Sequence, residues 1–207
     1  MPREPIQLAE RSTGSAEPLA GPVKPVASAP TVPDTAYPSF TDPGAAAAIV
    51  GGYHSTPFDI LGIHRHTVDG KPVIVIRTFQ PQAQTVSVLR GFQAYPMQRI
   101  HPDGFFEAVL QNESEFFYYR LSITLQASDG RRQQTYEIDD PYRYPPVLTD
   151  FDLHLLGEGN HFRLYEKLGA RLLEHASSKG VCFAVWAPNA ERVSVVGNFN
   201  QWDGRRH

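Results

Sequence analysis

The sequence of 207 residues contains one cysteine, Cys182. A single cysteine cannot form an internal disulfide, so a fold that depends on disulfides is excluded, and a reducing compartment is consistent with this composition. Cys182 lies within a run of residues that favour a β-strand. We therefore interpret it as a small buried side chain rather than as a reactive thiol.

Long apolar runs and an excess of charge of one sign are also missing. No stretch reaches the roughly 18 consecutive apolar residues of a transmembrane helix, and Met1–Glu10 has no apolar core of the kind found in secretory signals. The net charge of −3 gives no electrostatic basis for binding nucleic acid or an anionic membrane. We expect a cytoplasmic protein that binds neither nucleic acid nor a membrane and needs no cofactor.

Metal-binding patterns are sparse as well. His54, His64 and His66 lie close together, and a His-x-His pair on a strand places both rings on one face. No further ligand is evident beside them in the sequence. We interpret these histidines as structural and predict no metal site.

The first segment, residues 1–50, is rich in proline, alanine and serine, and half of the chain's 18 prolines precede residue 44. Such a composition cannot bury enough apolar surface to offset the entropy cost of ordering the backbone. Ala45–Ala48 favours a helical turn but is too short for a stable helix. The sequence predicts a disordered Pro/Ala-rich tail, with a docking peptide as the alternative interpretation.

Residues 51–140 show the pattern of a β-sandwich. Tyr119, Leu121, Ile123 and Leu125 alternate with polar residues, which predicts a half-buried antiparallel strand. Asp-Gly pairs at 69–70, 103–104 and 129–130 provide turns that tolerate positive φ. We predict an all-β, immunoglobulin-like β-sandwich with strands at 73–79, 85–89, 95–100, 105–110, 117–125 and 134–138.

The second half of the chain is expected to contain a connector and a second β module. Residues 141–170 read as a connector with short helices at 148–155 and 162–168, and residues 171–207 as the first strands of a second, incomplete β-sandwich. Its predicted strands are 171–176, 181–187 and 192–196. Because a hairpin alone is marginal in water, we expect the chain to be the front part of a longer protein.

An internal repeat supports two related modules. Residues 79–92 align without a gap on residues 186–199, with identical Pro, Ala, Val, Ser, Val and Phe at equal spacing. The period of about 100 residues is longer than that of solenoid repeats, so tandem domains are indicated.

Four motifs follow one another between residues 54 and 204. They are Pro57-Phe58-x-x-Leu61-Gly62-x-His64, Asp140-Pro141-Tyr142-Arg-Tyr-Pro145-Pro146, Gly157-Glu158-Gly159-x-His161-x-x-x-Tyr165-Glu-Lys-Leu168-Gly169-Ala170, and Phe183-Ala-Val-Trp186-Ala187-Pro188-Asn189-Ala190 with Gly197-Asn198-Phe199-Asn200-x-Trp202-Asp203-Gly204. In this order they resemble the N-terminal region of a bacterial 1,4-alpha-glucan (glycogen) branching enzyme. The last motif by itself resembles the starch-binding-like module of several glucan-active proteins. Arg171 departs from the family pattern at a connector position.

The resemblance implies a transferase of the α-amylase type, which cuts an α-1,4 bond and re-forms it as an α-1,6 branch in glycogen biosynthesis. Retaining chemistry of this kind needs two carboxyl groups about 5 Å apart, held by a catalytic (β/α)8 barrel that has no counterpart in this sequence. We therefore predict no catalytic residue in this chain and no activity of the chain alone. The candidate carboxylates lie in loops and connectors, with no barrel strand to hold them in register, so neither catalytic role is assigned to any of them: Asp139, Asp140, Asp150, Asp152 and Glu158.

The expected partners are α-glucan and the catalytic barrel of the same polypeptide. The resemblance points to Trp202 as an aromatic that stacks on glucose rings and to Asn200 as a hydrogen-bonding neighbour. Packing of Trp202 against the barrel is the alternative, and Tyr142 is a further candidate contact for a long glucan. Trp186 and Phe199 are interpreted as core residues.

Two functions remain open on this basis. In the first, the chain is the N-terminal part of a branching enzyme and positions α-glucan for it. In the second, it is a stand-alone, non-catalytic α-glucan-binding module.

Overall fold

The computed structural model describes residues 38–125, 133–175 and 178–207. The predicted disorder of residues 1–37 and the turn predicted at Asp129-Gly130 lie outside these ranges.

Eight antiparallel strands form a sandwich of two sheets. In chain order they are β1 (Gly62–Val68), β2 (Lys71–Phe79), β3 (Ala83–Arg90), β4 (Gln93–Pro96), β5 (Gln98–His101), β6 (Phe105–Leu110), β7 (Arg120–Leu125) and β8 (Thr135–Ile138). One sheet has the order β1-β2-β6-β5 and the other the order β4-β3-β7-β8. The predicted all-β, immunoglobulin-like sandwich is confirmed.

The core lies between the two sheets and follows the alternation of the strands. Ile74 and Ile76 of β2 face Val86 and Val88 of β3 in one cluster, and all four are at most 1% exposed. On β7 the fully buried side chains are Leu121 and Ile123, while the other residues of the strand are half-buried. The strand predicted from the alternation is therefore present, although it begins at Arg120 rather than at residue 117.

The outer face of the first sheet is covered by a helix, α1 (Pro43–Gly51). Ile49 and Val50 of α1 pack with Phe79 and Phe105 in a second buried cluster, which explains why Phe79, on the outer face at the end of β2, is buried. This corrects the expectation that no stable helix forms before residue 51. An alanine run too weak to fold alone is stabilised by packing of its apolar face.

Two further sequence expectations differ from the structure. The strand predicted at 95–100 is two strands, because β4 pairs with β3 whereas β5 pairs with β6 in the other sheet. Pro96 has no N–H to continue the ladder, and Met97 follows it as a core residue between the sheets. The strand β1 was not predicted, since its histidines and arginine mask its β character.

The connector contains one capped helix, α2 (Asp150–Gly157), close to the predicted 148–155. Thr149 and Asp152 form a reciprocal capping box at its N-terminus. The helix predicted at 162–168 is reduced to a single 3-10 turn at Leu164–Glu166. Neither α1 nor α2, within the described residues, has the length and hydropathy of a helix that spans a membrane.

The second module contains an antiparallel hairpin of β9 (Gly169–His175) and β10 (Ser178–Ala184). The predicted turn at Pro188-Asn189 is present, but residues 192–196 do not form the predicted strand. Their backbone is bonded elsewhere, since Val195 N donates to the His207 carbonyl and Val195 O accepts from the Asn200 amide. The repeat in the sequence therefore has different local structures in its two copies.

Two predicted core residues of this module are exposed. Trp186 is 45% exposed and Phe199 is 60% exposed, and Phe92, the counterpart of Phe199 in the first copy, is fully exposed. Cys182 is half-buried rather than buried. The interpretation of Trp186 and Phe199 as core was wrong for this structure, because no second sheet covers them within the described residues.

Candidate functional site: an aromatic loop held by the sandwich

The exposed Trp202 lies in a compact loop, Gly197–Gly204, which we call the Trp202 loop. Its first half is a 3-10 turn at Asn198–Asn200. Trp202 N donates to Gly197 O over 3.0 Å, which closes the loop on itself. The indole Nε1–H donates to Asn198 Oδ1 over 3.0 Å, while 67% of the residue remains exposed. The ring is thus fixed at its edge and offers its surface to solvent.

The backbone of this loop is unusual at the tryptophan. Gln201 and Trp202 both have left-handed conformations, with φ of 58° and 61°. Left-handed backbone is uncommon for side chains other than glycine, asparagine and aspartate. Such strained positions concentrate at binding sites, where the surrounding structure enforces them.

The side chain of Asn200 holds the backbone of this loop in place from inside. This side chain is fully buried. Asn200 Oδ1 accepts from Gly197 N over 2.9 Å, and its Nδ2 donates to Val195 O over 2.7 Å. The amide therefore bonds within the protein in this structure, which differs from the predicted contact of Asn200 with a sugar hydroxyl.

The far side of the loop is fixed by an ion pair. Asp203 accepts from the Arg205 guanidinium at 2.7 and 2.9 Å and from Arg205 N at 3.0 Å. These bonds from Arg205 hold the pKa of Asp203 below its ordinary value. The Arg205 guanidinium also lies over the Phe79 ring, 5.2 Å from its centroid.

The loop is anchored on the sandwich by Arg206. Its side chain is buried, and its Nη2 donates to Gln80 Oε1 over 2.6 Å, directly after β2. The Tyr142 hydroxyl donates to Arg206 O over 3.3 Å. Burial, and to a lesser extent Asp140, raises the pKa of Tyr142 to about 12, so this phenol remains a donor at neutral pH. The first module thereby holds the loop that presents Trp202.

Tyr142 itself is half-buried and packs edge-on against Phe58, with ring centroids 5.0 Å apart. Its hydroxyl bond to the Arg206 carbonyl and this ring contact give it a role in joining the modules. A contact between Tyr142 and a glucan stays a prediction.

The connector carboxylates have structural partners. Asp140 is buried and accepts from the Tyr119 hydroxyl over 2.6 Å and from Tyr142 N over 3.0 Å. Asp139 accepts from the Tyr118 and Ser178 hydroxyls. Asp150 begins α2, and Glu158, which follows it, pairs with His154 at 3.4 Å.

Asp152 joins α2 to the segment that follows it. Besides capping the helix, it accepts from His161 Nε2 over 2.8 Å and pairs with Lys167 Nζ at 3.2 Å. Bonds from the Thr149 backbone, from His161 and from the Thr149 hydroxyl hold the pKa of Asp152 well below its ordinary value. This carboxylate is therefore the structural centre of the connector.

The neighbouring histidines also have intramolecular partners. His64 Nε2 lies 2.9 Å from Leu61 O, and His66 Nε2 lies 3.1 Å from Arg77 Nη2. Burial lowers the pKa of both rings. Within the described part of the chain, no group of three or more potential ligands is arranged to hold a metal ion.

Sequence reasoning missed the residues that anchor the loop. Gln80 and Arg206 are 126 positions apart, and neither belongs to a motif that indicates contact between them. The buried pair of Arg77 and Glu107, 2.9 Å apart, was missed for the same reason. A charged residue within the apolar run 73–79 was the one available signal, since a buried arginine requires a partner.

A β-sandwich followed by a hairpin and an exposed aromatic loop places the described residues in the class of all-β modules. Comparison with known families agrees. Residues 42–142 match the family described as alpha-1,4-glucan branching enzyme GlgB, N-terminal domain, and residues 167–207 match Carbohydrate-binding module 48 (Isoamylase N-terminal domain).

Individual relatives point the same way. Over 162 residues the chain is 53% identical to the 1,4-alpha-glucan branching enzyme GlgB of Paramagnetospirillum magneticum and 48% identical to that of Trichodesmium erythraeum. The alignments cover 78% and 77% of this chain and 20% of each relative. The enzyme of the same name from Rubrobacter xylanophilus is 47% identical over 165 residues, 79% of this chain and 21% of the relative.

Residues 42–142 therefore belong to the N-terminal domain family of 1,4-alpha-glucan branching enzymes, and residues 167–207 belong to carbohydrate-binding module family 48. The resemblance inferred from the four motifs is confirmed. The chain spans about a fifth of the length of the curated relatives it matches.

Proposed function

We propose that this chain serves as the N-terminal, non-catalytic part of a 1,4-alpha-glucan branching enzyme and positions α-glucan through Trp202. The observation that carries the proposal is the Trp202 loop, in which a strained backbone and an internal hydrogen-bond network expose a tryptophan. An exposed aromatic face packs well against the apolar face of a glucose ring. The family relationship makes α-glucan the expected ligand.

The transfer reaction itself is assigned to a catalytic barrel outside this sequence. The described residues form antiparallel sheets and no repeat of parallel strands and helices. Their connector carboxylates are occupied by hydroxyl, backbone and histidine partners. We expect this chain alone to show no branching activity. Its barrel partner and its cytoplasmic location remain predictions.

A binding measurement tests the role of Trp202. We expect Trp202→Ala to weaken binding of maltoheptaose to the chain by roughly tenfold or more, a change of about 1.4 kcal/mol. Isothermal titration calorimetry measures the affinity directly. Trp186→Ala is the matched control, because it removes the other tryptophan, which is also partly exposed. Unchanged affinity of Trp202→Ala would instead favour the view that this ring packs against the barrel.

A further inference from the structure

We propose that the cleft between α1 and the Trp202 loop is a second contact site for α-glucan, with Tyr53 as its aromatic platform. This inference rests on the proposed function and extends it from the loop to the junction of the two modules. The cleft has a volume of about 320 Å3. That volume falls at the lower end of the roughly 300–1,000 Å3 of ligand pockets.

The platform is positioned by the C-terminal cap of α1. Gly52 ends the helix with φ of 71°, Gly52 N donates to Ile49 O, and Tyr53 N donates to Ala48 O. This is the arrangement of a Schellman cap. The Tyr53 ring lies against Gly51, where a Cβ atom would come within 2.3 Å of it, and 70% of the residue is exposed. The tyrosine therefore has a fixed backbone and an accessible ring.

The opposite wall belongs to the second module. Arg192 Nε donates to Ser194 Oγ over 3.0 Å, and Ser194 Oγ donates to Gly204 O over 2.7 Å. The guanidinium reaches across to α1, where a Cβ atom on Gly52 would lie 2.7 Å from Arg192 Nη1. Glycine at position 52 thus allows both the left-handed cap and the close approach of the arginine.

The charges of the cleft favour a neutral ligand with many hydroxyl groups. Arg205 is paired with Asp203 at 2.7 Å, and Glu191 lines the cleft together with Arg192. The charge of Arg205 is thus balanced by an ion pair, and Glu191, the neighbour of Arg192 in the chain, adds a negative charge to the same cleft. A phosphate site would instead concentrate unpaired arginines. An aromatic face bordered by donors and acceptors fits a sugar ring.

The cleft is continuous with the Trp202 loop. Gly204 and Arg205, which follow Trp202 and Asp203 in the chain, line one side of it. In this proposal, a glucan chain that stacks on Trp202 extends past Gly204 and Arg205 towards Tyr53. Two contacts on one ligand raise its affinity, because binding at the second becomes intramolecular.

The test compares maltoheptaose binding by the full chain and its variants in calorimetry. We expect Tyr53→Ala to weaken binding at least roughly fivefold, while Tyr53→Phe keeps the ring and stays within about twofold. Tyr165→Ala is the matched control, since Tyr165 is 71% exposed and does not line the cleft. Because Tyr53 is exposed, its replacement is expected to leave the unfolding midpoint unchanged.

The outcomes separate this inference from the proposed function. If Trp202→Ala weakens binding and Tyr53→Ala does not, the cleft site is overturned while the proposed function stands. Weakening by Tyr53→Ala but not by Trp202→Ala supports the cleft and removes the role given to Trp202. Absence of maltoheptaose binding by the unmodified chain overturns both, and displacement of the sugar by inorganic phosphate would identify an anion site instead.

Discussion

At the scale of single residues, Asp140 is a buried carboxyl group whose ionisation is linked to stability. It is buried at the junction of the modules beside Tyr119 and Tyr142. Burial raises its pKa to about 6, although hydrogen bonds from Tyr119 and Tyr142 act in the opposite direction. A carboxyl group with a raised pKa in the folded state binds its proton more tightly there than in the unfolded chain. Folding is therefore favoured by its protonation.

The sign of the resulting pH dependence follows directly. Between its unfolded pKa of 3.8 and its folded pKa of about 6, the folded state carries more protons, so stability contributed by Asp140 falls as the pH rises through this window. From pH 5 to pH 7 we expect a loss of about 1 kcal/mol relative to Asp140→Asn, which does not titrate. Urea unfolding of both proteins at several pH values measures this loss of stability.

The comparison with Asp140→Asn separates the contribution of this carboxyl group from that of His64 and His66, whose pKa values are lowered. The stability contributed by these histidines rises with pH in the same range, opposite to that of Asp140. Asp139→Asn is the matched neighbour control, because it keeps Asp140. If the free energies of unfolding of the wild-type chain and Asp140→Asn change in parallel with pH, ionisation of Asp140 does not destabilise the fold. The raised pKa given to Asp140 would then be wrong.

At the scale of elements, α1 shows how a weak helix becomes part of a fold. Asp42 accepts from Ala45 N over 2.9 Å at its N-cap, Pro43 begins the helix, and Gly52 ends it. The segment before α1 is held by the buried Arg77, which donates to the Thr41 hydroxyl and to the Phe40 carbonyl. Local signals therefore set the ends of the helix, and the outer face of β2 stabilises it.

Ile49 tests the importance of this packing. It is 3% exposed and lies in the cluster with Phe79 and Phe105. We expect Ile49→Ala to lower the free energy of unfolding by roughly 2–5 kcal/mol and Ile49→Val by roughly 0.5–1.5 kcal/mol. Chemical denaturation followed by circular dichroism provides both values. Equal stability of all three proteins would show that α1 is not packed on the sandwich.

At the scale of the whole molecule, the two modules differ in how much they bury. The sandwich encloses a continuous core of fully buried aliphatic and aromatic side chains. On the β9–β10 hairpin, by contrast, Leu172 is 87% exposed and Val181 is 49% exposed. A two-stranded hairpin without a covered face is marginal in water, so the hairpin depends on its contacts with the rest of the chain.

Amide hydrogen exchange is expected to reveal this difference. We predict strong protection for the strands within residues 54–140 and weak protection for the β9–β10 hairpin within residues 171–207, because local opening of the hairpin exposes little additional apolar surface. Mass spectrometry of the exchanged and digested chain measures both regions in one sample, so each serves as the reference for the other. Uniformly strong protection as far as His207 would contradict the prediction.

Much of the first module follows from the sequence because its signals are local. Alternation along Tyr119, Leu121 and Ile123 and the apolar run of β2 identify strands with the correct buried faces. The turn at Pro188-Asn189 and α2 with its Thr149 cap are also encoded by neighbouring residues. The order of the four motifs then indicated the family, which the matches confirm.

The features that the sequence did not predict were determined by contacts between residues far apart in the chain. Three features depend on contacts between residues that are distant in sequence. They are the pairing of 93–96 and 98–101 with strands of different sheets, the packing of α1 and the bond between Gln80 and Arg206. Asn200 illustrates the difference, because its residue type suits a sugar contact while its position in the fold directs its amide inwards. Sequence determines which groups are present, and only tertiary packing determines which of them remain free to bind a ligand.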